Sequence, residues 1–136
     1  MAALTQTAAN VKLGGTGTLK AEVTAGETIS QGMPVYLKTS DGKYWKADAD
    51  TAAEALVAGI ALTPGVANDQ IMIVKGGPMN VGGTLTVGMG YYVHTTAGAM
   101  GEIGELASGD FPTFLGFATT AAILQVQIVV ATVAKA

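Results

Sequence analysis

An all-β domain built from two similar halves is the fold class this sequence predicts. Three observations predict it. Short runs of alternating apolar and polar residues are separated by Gly, Pro, Asn and Asp, the pattern of half-buried strands joined by tight turns. The one helical signal is only a turn or two long. And one phrase occurs twice. GETISQGMPVYL, from Gly26 to Leu37, is answered by GGTLTVGMGYYV, from Gly82 to Val93, with Gly, Thr, Gly, Met and Tyr at matching places 56 residues apart. At 136 residues the chain is long enough for one domain with a real core and too short for two comfortable ones.

The elements follow in order. Residues 1–18 are small and polar, including GGTGT from Gly14 to Thr18, and few of their side chains can anchor a core. They are expected to form a flexible N-terminal arm. A single β domain then spans residues 19–136. LKAEV (Leu19–Val23) alternates and reads as a strand, and AGETISQGM (Ala25–Met33) is turn-rich. PVYLK (Pro34–Lys38) is a strand with proline in first position, where a missing N–H is tolerated. SDG (Ser40–Gly42) signals a hairpin, and KYWKAD (Lys43–Asp48) returns it. Asp50 is placed to cap one or two helical turns over Thr51–Leu56, the one short helix expected. LVAGIAL (Leu56–Leu62) is an apolar strand whose inner Gly59 marks a bulge or a close backbone approach. TPGVAND turns the chain, and QIMIVKGG (Gln70–Gly77) is a strand followed by a break.

The same order then returns. Gly98 takes the place of Gly42 in the second hairpin. FPTFLGFATT (Phe111–Thr120) parallels LVAGIAL, with Gly116 near the place of Gly59, and ILQVQIVV (Ile123–Val130) parallels QIMIV. The offset drifts between 55 and 57, and the parallel covers about residues 26–75 and 82–130. Four short strands cannot bury both their faces alone. Two such sets can close one core, so the expected product is a single pseudo-symmetric β-sandwich or barrel. Gly32 and Gly88 are expected at positive φ or where two backbones meet. The competing explanation is chance likeness in a Gly/Thr-rich β protein. Order and spacing that agree over about 50 residues weigh against it.

Composition narrows the function. Charged residues make up 12% of the chain, against about 25% in an average soluble domain. Ala, Thr and 19 glycines fill the gap. Such a surface suits being covered by partners in an oligomer or a larger assembly. Net charge is −3, and the seven basic residues, all lysine, are scattered. A phosphate backbone calls for clustered Lys and Arg, so nucleic acid is not expected as a partner. A basic membrane-surface helix is missing too. Without cysteine there are no disulfides, thiolate metal sites or cysteine nucleophiles. MAALTQTAANVKLGG lacks the basic n-region and apolar stretch of a signal peptide. The most apolar segment, Ala121–Ala134, is interrupted by Gln125 and Gln127. It is shorter than the roughly 20 apolar residues that cross a bilayer. A cytoplasm, or a particle assembled there, is the expected setting.

Chemistry is thinly represented. His94, the single histidine, ends the YYV strand with no nucleophile or orienting carboxylate in a recognisable constellation. It is expected at a surface or hairpin edge. Asp41, Asp48, Asp50 and Glu54 lack the glycine and most of the oxygen ligands of a calcium loop, so turn and cap roles are expected. GGTGTLK has no Gly before Lys20 and Ala after it, which is not a phosphate loop. No metal, cofactor or small-molecule substrate is expected, and no enzymatic activity. Tyr36, Tyr44, Trp45, Tyr91 and Tyr92 read first as cross-strand pairs and second as a binding face. Trp45, beside a hairpin and next to Tyr44, is the best candidate partner anchor, because Trp and Tyr dominate interface hot spots. Leu4, Val11 and Leu13, the arm's apolar side chains, complete the candidate contacts.

From about Gly26 to Gly77 the ordered set AGETISQGMPVYL, SDGKYWKADAD, ALVAGIALTPG and DQIMIV resembles the small capsid decoration (cement) proteins of tailed bacteriophages. Those chains commonly read G-x-x-V-Y-L, then D-G-K-x-x-K-A, then A-x-G-I-A, then an acidic turn and a β run. A more distant likeness is to the lambda-type head decoration protein, and the resemblance covers most of residues 20–130. It implies a β-rich, non-enzymatic virion protein, assembled in the host cytoplasm and placed on the outer capsid surface. Its implied partner is the major capsid protein. Such proteins sit as homotrimers at three-fold and quasi-three-fold sites and clamp neighbouring subunits after the head expands. In related proteins an N-terminal arm orders on the capsid and adds a strand to it, a part residues 1–18 would play here by β-augmentation. The clear duplication and longer second half depart from the lambda-type pattern. Two other readings compete. One is a virion binding module, a head-fibre base or glycan-binding domain that uses Trp45 and the tyrosines. The other is an enzyme whose only foothold is His94.

Overall fold

Gly32 and Gly88, the glycines inside the repeated phrase, have φ of +87° and +84°, and the hairpin glycines Gly42 and Gly98 have +71° and +81°. A side chain costs energy in that region, so these positions explain why the two copies keep the same glycines. The computed structural model that carries this geometry describes residues 3–136. Ten strands follow one another: β1 (Lys12–Leu13), β2 (Leu19–Thr24), β3 (Pro34–Lys38), β4 (Lys43–Lys46), β5 (Val57–Ala61), β6 (Gln70–Asn80), β7 (Gly90–Val93), β8 (Met100–Gly101), β9 (Phe114–Ala118) and β10 (Ile123–Val129).

They form one antiparallel sheet, curled into a half-barrel, in the order β4-β3-β5-β6-β10-β9-β7-β8. Read inward from either end, the order is hairpin, single strand, inner strand. The repeat in the sequence is therefore a repeat in space, with β6 and β10 meeting at the centre. Both halves even bulge at one place. The register shifts between Val35 and Tyr36 where β3 meets Gly59, and between Tyr91 and Tyr92 where β7 meets Gly116. A side chain at Gly59 would lie 2.8 Å from the Val74 carbonyl oxygen, and one at Gly116 would collide with the Gln125 carbonyl. The parallel slips only at the last strand. Ala61 pairs with Ile73 and Ala118 with Leu124, so Leu124 stands in the place of Ile73, 51 positions on. The turn between β9 and β10 is shorter than the one between β5 and β6, which pulls the offset below 55.

The halves are buried differently. β2 runs along β6 from Leu19↔Gly76 to Thr24↔Gln70. Ala25 then bridges to Tyr44, and the Gly26 N–H donates to the Tyr44 carbonyl at 2.8 Å. That contact closes β2, β6, β5, β3 and β4 into a ring with its own core of Ala25, Ile29, Val35, Ala61, Ile71 and Ile73. A second, larger core joins the two halves. It takes Tyr36, Val57, Ile60 and Val74 from the other face of the ring, and Tyr91, Val93, Met100, Leu115, Leu124 and Val126 from the second half. Each such aliphatic side chain contributes about 1.5–3 kcal/mol by leaving water.

Two expectations need correction. No α-helix forms over Thr51–Leu56. Residues 51–55 make one turn, in which the Thr51 hydroxyl, not Asp50, accepts the Glu54 N–H at 3.2 Å. Among the described residues helical geometry is limited to two 3-10 turns, Ala8–Asn10 and Ile103–Glu105. Six residues give too few helical bonds to offset the cost of nucleation. The N-terminal segment, expected as a flexible arm, is tied to the domain from Leu4 onward, where the Leu4 N–H donates to the Met100 carbonyl. Lys12 pairs with Asn80 and Leu13 with Met79, and Val11 is buried in the shared core. Residues 1 and 2 of that expected arm lie outside the described residues.

Candidate functional site

The residues expected to meet a partner are scattered rather than gathered. Val11 is in the core, and Leu4 packs against it with its N–H on the Met100 carbonyl at 2.8 Å. Leu13 is partly exposed, at 38%. Trp45 is half-buried and held by its own hairpin. Its indole N–H donates to Asp41 Oδ2 at 3.0 Å, and Lys38 Nζ lies 4.3 Å from the ring centroid. Gly26 packs so closely on the indole that a side chain there would collide with it. Asp41 also accepts the Lys43 N–H, which with the indole bond holds its carboxyl below the usual aspartate range. Tyr44 belongs to the seam of the ring, half-buried against its core.

The N-terminal strap sits on a seat of glycines. A side chain at Gly83 would lie 2.7 Å from the Thr5 carbonyl, and one at Gly82 would strike the Thr7 carbonyl. The Gln6 amide donates to the carbonyls of Gly32 (3.0 Å) and Val81 (2.8 Å). Beside the strap runs a groove of about 730 Å³ lined by Leu4, Thr7, Asn10, Asn80 and Thr84 among others. Its lining is mostly hydroxyl, amide and small apolar groups.

His94 is not at the surface as expected. It is buried at the end of β7, with Nδ1 accepting the Thr96 N–H at 3.1 Å and Nε2 without a partner. Gly101 on β8 packs beside its ring, where a side chain would lie 3.3 Å from His94 and 3.0 Å from Glu105 of the following 3-10 turn, which the hairpin sequence alone does not reveal. Asp48 is buried as well, and its Oδ1 accepts the Asp50 N–H at 2.9 Å. Burial, and then the neighbouring Glu54 and Asp50 carboxylates, push the Asp48 carboxyl above the ordinary range. Among the described residues no group of three or more His, Asp or Glu is placed to hold a metal ion. No helix among them is long and apolar enough to cross a membrane.

One surface was missed by sequence reasoning. In the second half the outer sheet face carries Tyr92, Phe114 and Phe117, with Gln125, Gln127 and Val129 on β10 beside them. The register puts Gln125 opposite Phe117 and Val129 opposite Phe114, which in turn faces Tyr92. Tyr92 and Phe114 stack edge to face at 5.5 Å. Phe117 is 39% exposed and Val129 59%. The matching first-half positions, Tyr36, Val57, Ile60 and Val74, are all buried in the shared core. A signal for this face was present in the sequence. Of 17 charged residues (7 Lys, 10 Asp or Glu), 12 fall between Lys20 and Lys75, while residues 76–101 and 111–134 carry none. Comparison with protein families finds no matching family, and comparison with curated proteins finds no matching relative.

Proposed function

We propose that this protein is a structural component of a bacteriophage head, a decoration protein. It binds the outer capsid surface as a homotrimer at three-fold and quasi-three-fold sites and clamps neighbouring major capsid subunits. The observation that carries the reading is the ordered motif set over Gly26–Gly77 that resembles that family's, which here occupies adjoining strands. G-x-x-V-Y-L leads into β3, D-G-K-x-x-K-A makes the hairpin to β4, and Gly59-Ile60-Ala61 lies on β5, next to β3 in the sheet. The residues that carry the resemblance are the ones that set turns, the bulge and the ring. A chain low in charge, with one sheet face uncovered, suits work done by contact with protein neighbours.

The alternative, a glycan-binding module built on Trp45, has less support. A stacking platform needs an open ring face, and Lys38 and Gly26 already lie against this indole.

Co-sedimentation with capsids tests the proposal. Purified protein is mixed with unexpanded and with expanded heads made without it, and the heads are then heated. Binding to expanded heads only, with a higher temperature of DNA release, is expected. Expanded heads that neither bind the protein nor gain heat resistance from it would sink the reading.

A further inference from the structure

We infer that the uncharged outer face of the second half, centred on Phe117, is the surface that docks on the capsid, and that its occupant is an uncharged, apolar patch of the major capsid subunit. The inference rests on the decoration reading and deepens it by naming which side of the molecule faces the shell.

Three observations converge on this face. The first is the partition of charge. The first half carries 12 of the 17 charged side chains. The strands that form the second-half face, GYYV, FLGFA and ILQVQIV, carry none. A charged group left without a partner in a contact is penalised heavily, so a face meant to lose its water is kept free of charge. The charged half is suited to remain in solvent.

The second is the internal repeat, which supplies a control within one chain. The same sheet face in the first half is not left open. Tyr36, Val57, Ile60 and Val74 are covered by apolar side chains of the second half. A face of this geometry thus already takes an apolar protein surface once in this molecule. At the matching positions Phe117 is open, Phe114 and Gln125 are only half-buried, and Tyr92 touches the shared core at its edge. Leu19, 67% exposed and opposite Gly76 at the margin of β10, extends the apolar area.

The third is size. A stable interface between two free copies buries about 800 Å² on each. Phe117 is little more than a third exposed, and Tyr92 and Phe114 are half-buried. Together with Val129 and Leu19 they offer well under that area. Such a patch is too small to hold two free copies together. It is adequate as one of several contacts made at once on a lattice, where the contacts reinforce one another.

The test uses the full chain and expanded heads made without it. Phe117→Asp combined with Val129→Asp charges the face. Leu56→Asp combined with Val66→Asp makes the same change at exposed positions of the first half. Gln127→Lys adds a charge to the face at an exposed site and removes little packing, in case the double variant folds poorly. Melting curves and light scattering accompany each binding curve. The face variants are expected to lose at least about 100-fold in affinity for heads, while the first-half variant stays within about 3-fold of the unmodified chain. Folded face variants that bind heads like the unmodified chain would overturn the inference and leave the decoration reading standing. An unmodified chain that binds no heads would overturn both. If the unmodified chain is an oligomer and the charged face makes it a monomer, a second copy is the occupant and the inference is wrong.

Discussion

The two halves of this molecule use one plan to different ends. In the first, β2 closes the ring and gives it a private core, so its central strands bury side chains on both faces. In the second, the strand before the repeated phrase is the Gly76–Asn80 end of β6 itself, paired along β10. The sheet of this half buries one face in the shared core and leaves the other half-open, with Phe117 and Val129 exposed. Each copy is preceded by a strand that pairs along its last one, and what makes the halves unequal is that the first ring's outer face, with Tyr36, Val57, Ile60 and Val74, is covered by the shared core. One became the self-sufficient half. The other became the half with a surface to spare.

The largest effects should come from matched cuts in the two cores. Ile73 and Leu124 hold equivalent places, at 1% and 0% exposure. Truncating either to alanine should cost about 2–5 kcal/mol. What separates them is where the loss appears. Leu124→Ala should lower amide protection in β7, β9 and β10 while the ring strands keep most of theirs, because the private core is untouched. Ile73→Ala should loosen the ring. Hydrogen exchange resolves the two, and an equal loss everywhere after Leu124→Ala would mean that the halves open as one unit.

The stitch between halves comes next. Thr113, fully buried, donates its hydroxyl to the Ala55 carbonyl and accepts the Ala131 N–H at 3.1 Å. Valine has the same shape and neither function. Thr113→Val leaves the half-buried Ala131 N–H without its acceptor, while the Ala55 carbonyl keeps the Val57 N–H at 2.8 Å, and it should cost about 1 kcal/mol in denaturant unfolding. A loss below about 0.5 kcal/mol would mean that water replaces the hydroxyl there.

A finer comparison uses the paired glycines. Gly88→Ala meets nothing within 4 Å and should cost only the left-handed backbone, about 1–2 kcal/mol. Gly32→Ala pays that and also crowds the Gln6 amide (2.7 Å) and Val11 (3.1 Å). The excess at position 32 measures the strap. Removing residues 3–11 should shrink it. An excess that survives the truncation would place its cause in the ring instead.

What could be read from the sequence follows from what each feature depends on. Strands, turns and the repeat rest on local alternation and on glycines at fixed spacing, so they were legible down to the common bulge. The strap was not. It is held mainly by backbone bonds to glycine-rich chain, as where the Thr7 N–H meets the Gly82 carbonyl at 2.7 Å, and that leaves no apolar pattern to read. Trp45 drew attention as an anchor because it is large. Its tie to Asp41 exists only once the hairpin is folded. The Phe117 face required the register, since alternation does not say which of two apolar faces will be covered. The charge-free runs would have pointed to the right half of the chain.

The smallest predicted effect concerns a carboxylate that only the first half has. Asp48 is buried at a place that Gly104 holds in the second. Burial first, then Glu54 and Asp50, raise its folded pKa above the unfolded one. A raised carboxyl favours the folded state when protonated. Its contribution is therefore fully present below the ordinary aspartate range and is lost as pH rises through the folded pKa. Asp48→Asn keeps an acceptor for the Asp50 N–H and carries no charge to bury. It should raise the melting point near neutral pH, by an amount worth no more than about 1 kcal/mol. The gain should vanish as pH falls towards about 4, where the aspartate itself becomes neutral. Melting curves of the two proteins across that range decide the matter. Parallel curves would mean that Asp48 acts through its hydrogen bond alone and that its charge is already relieved by water.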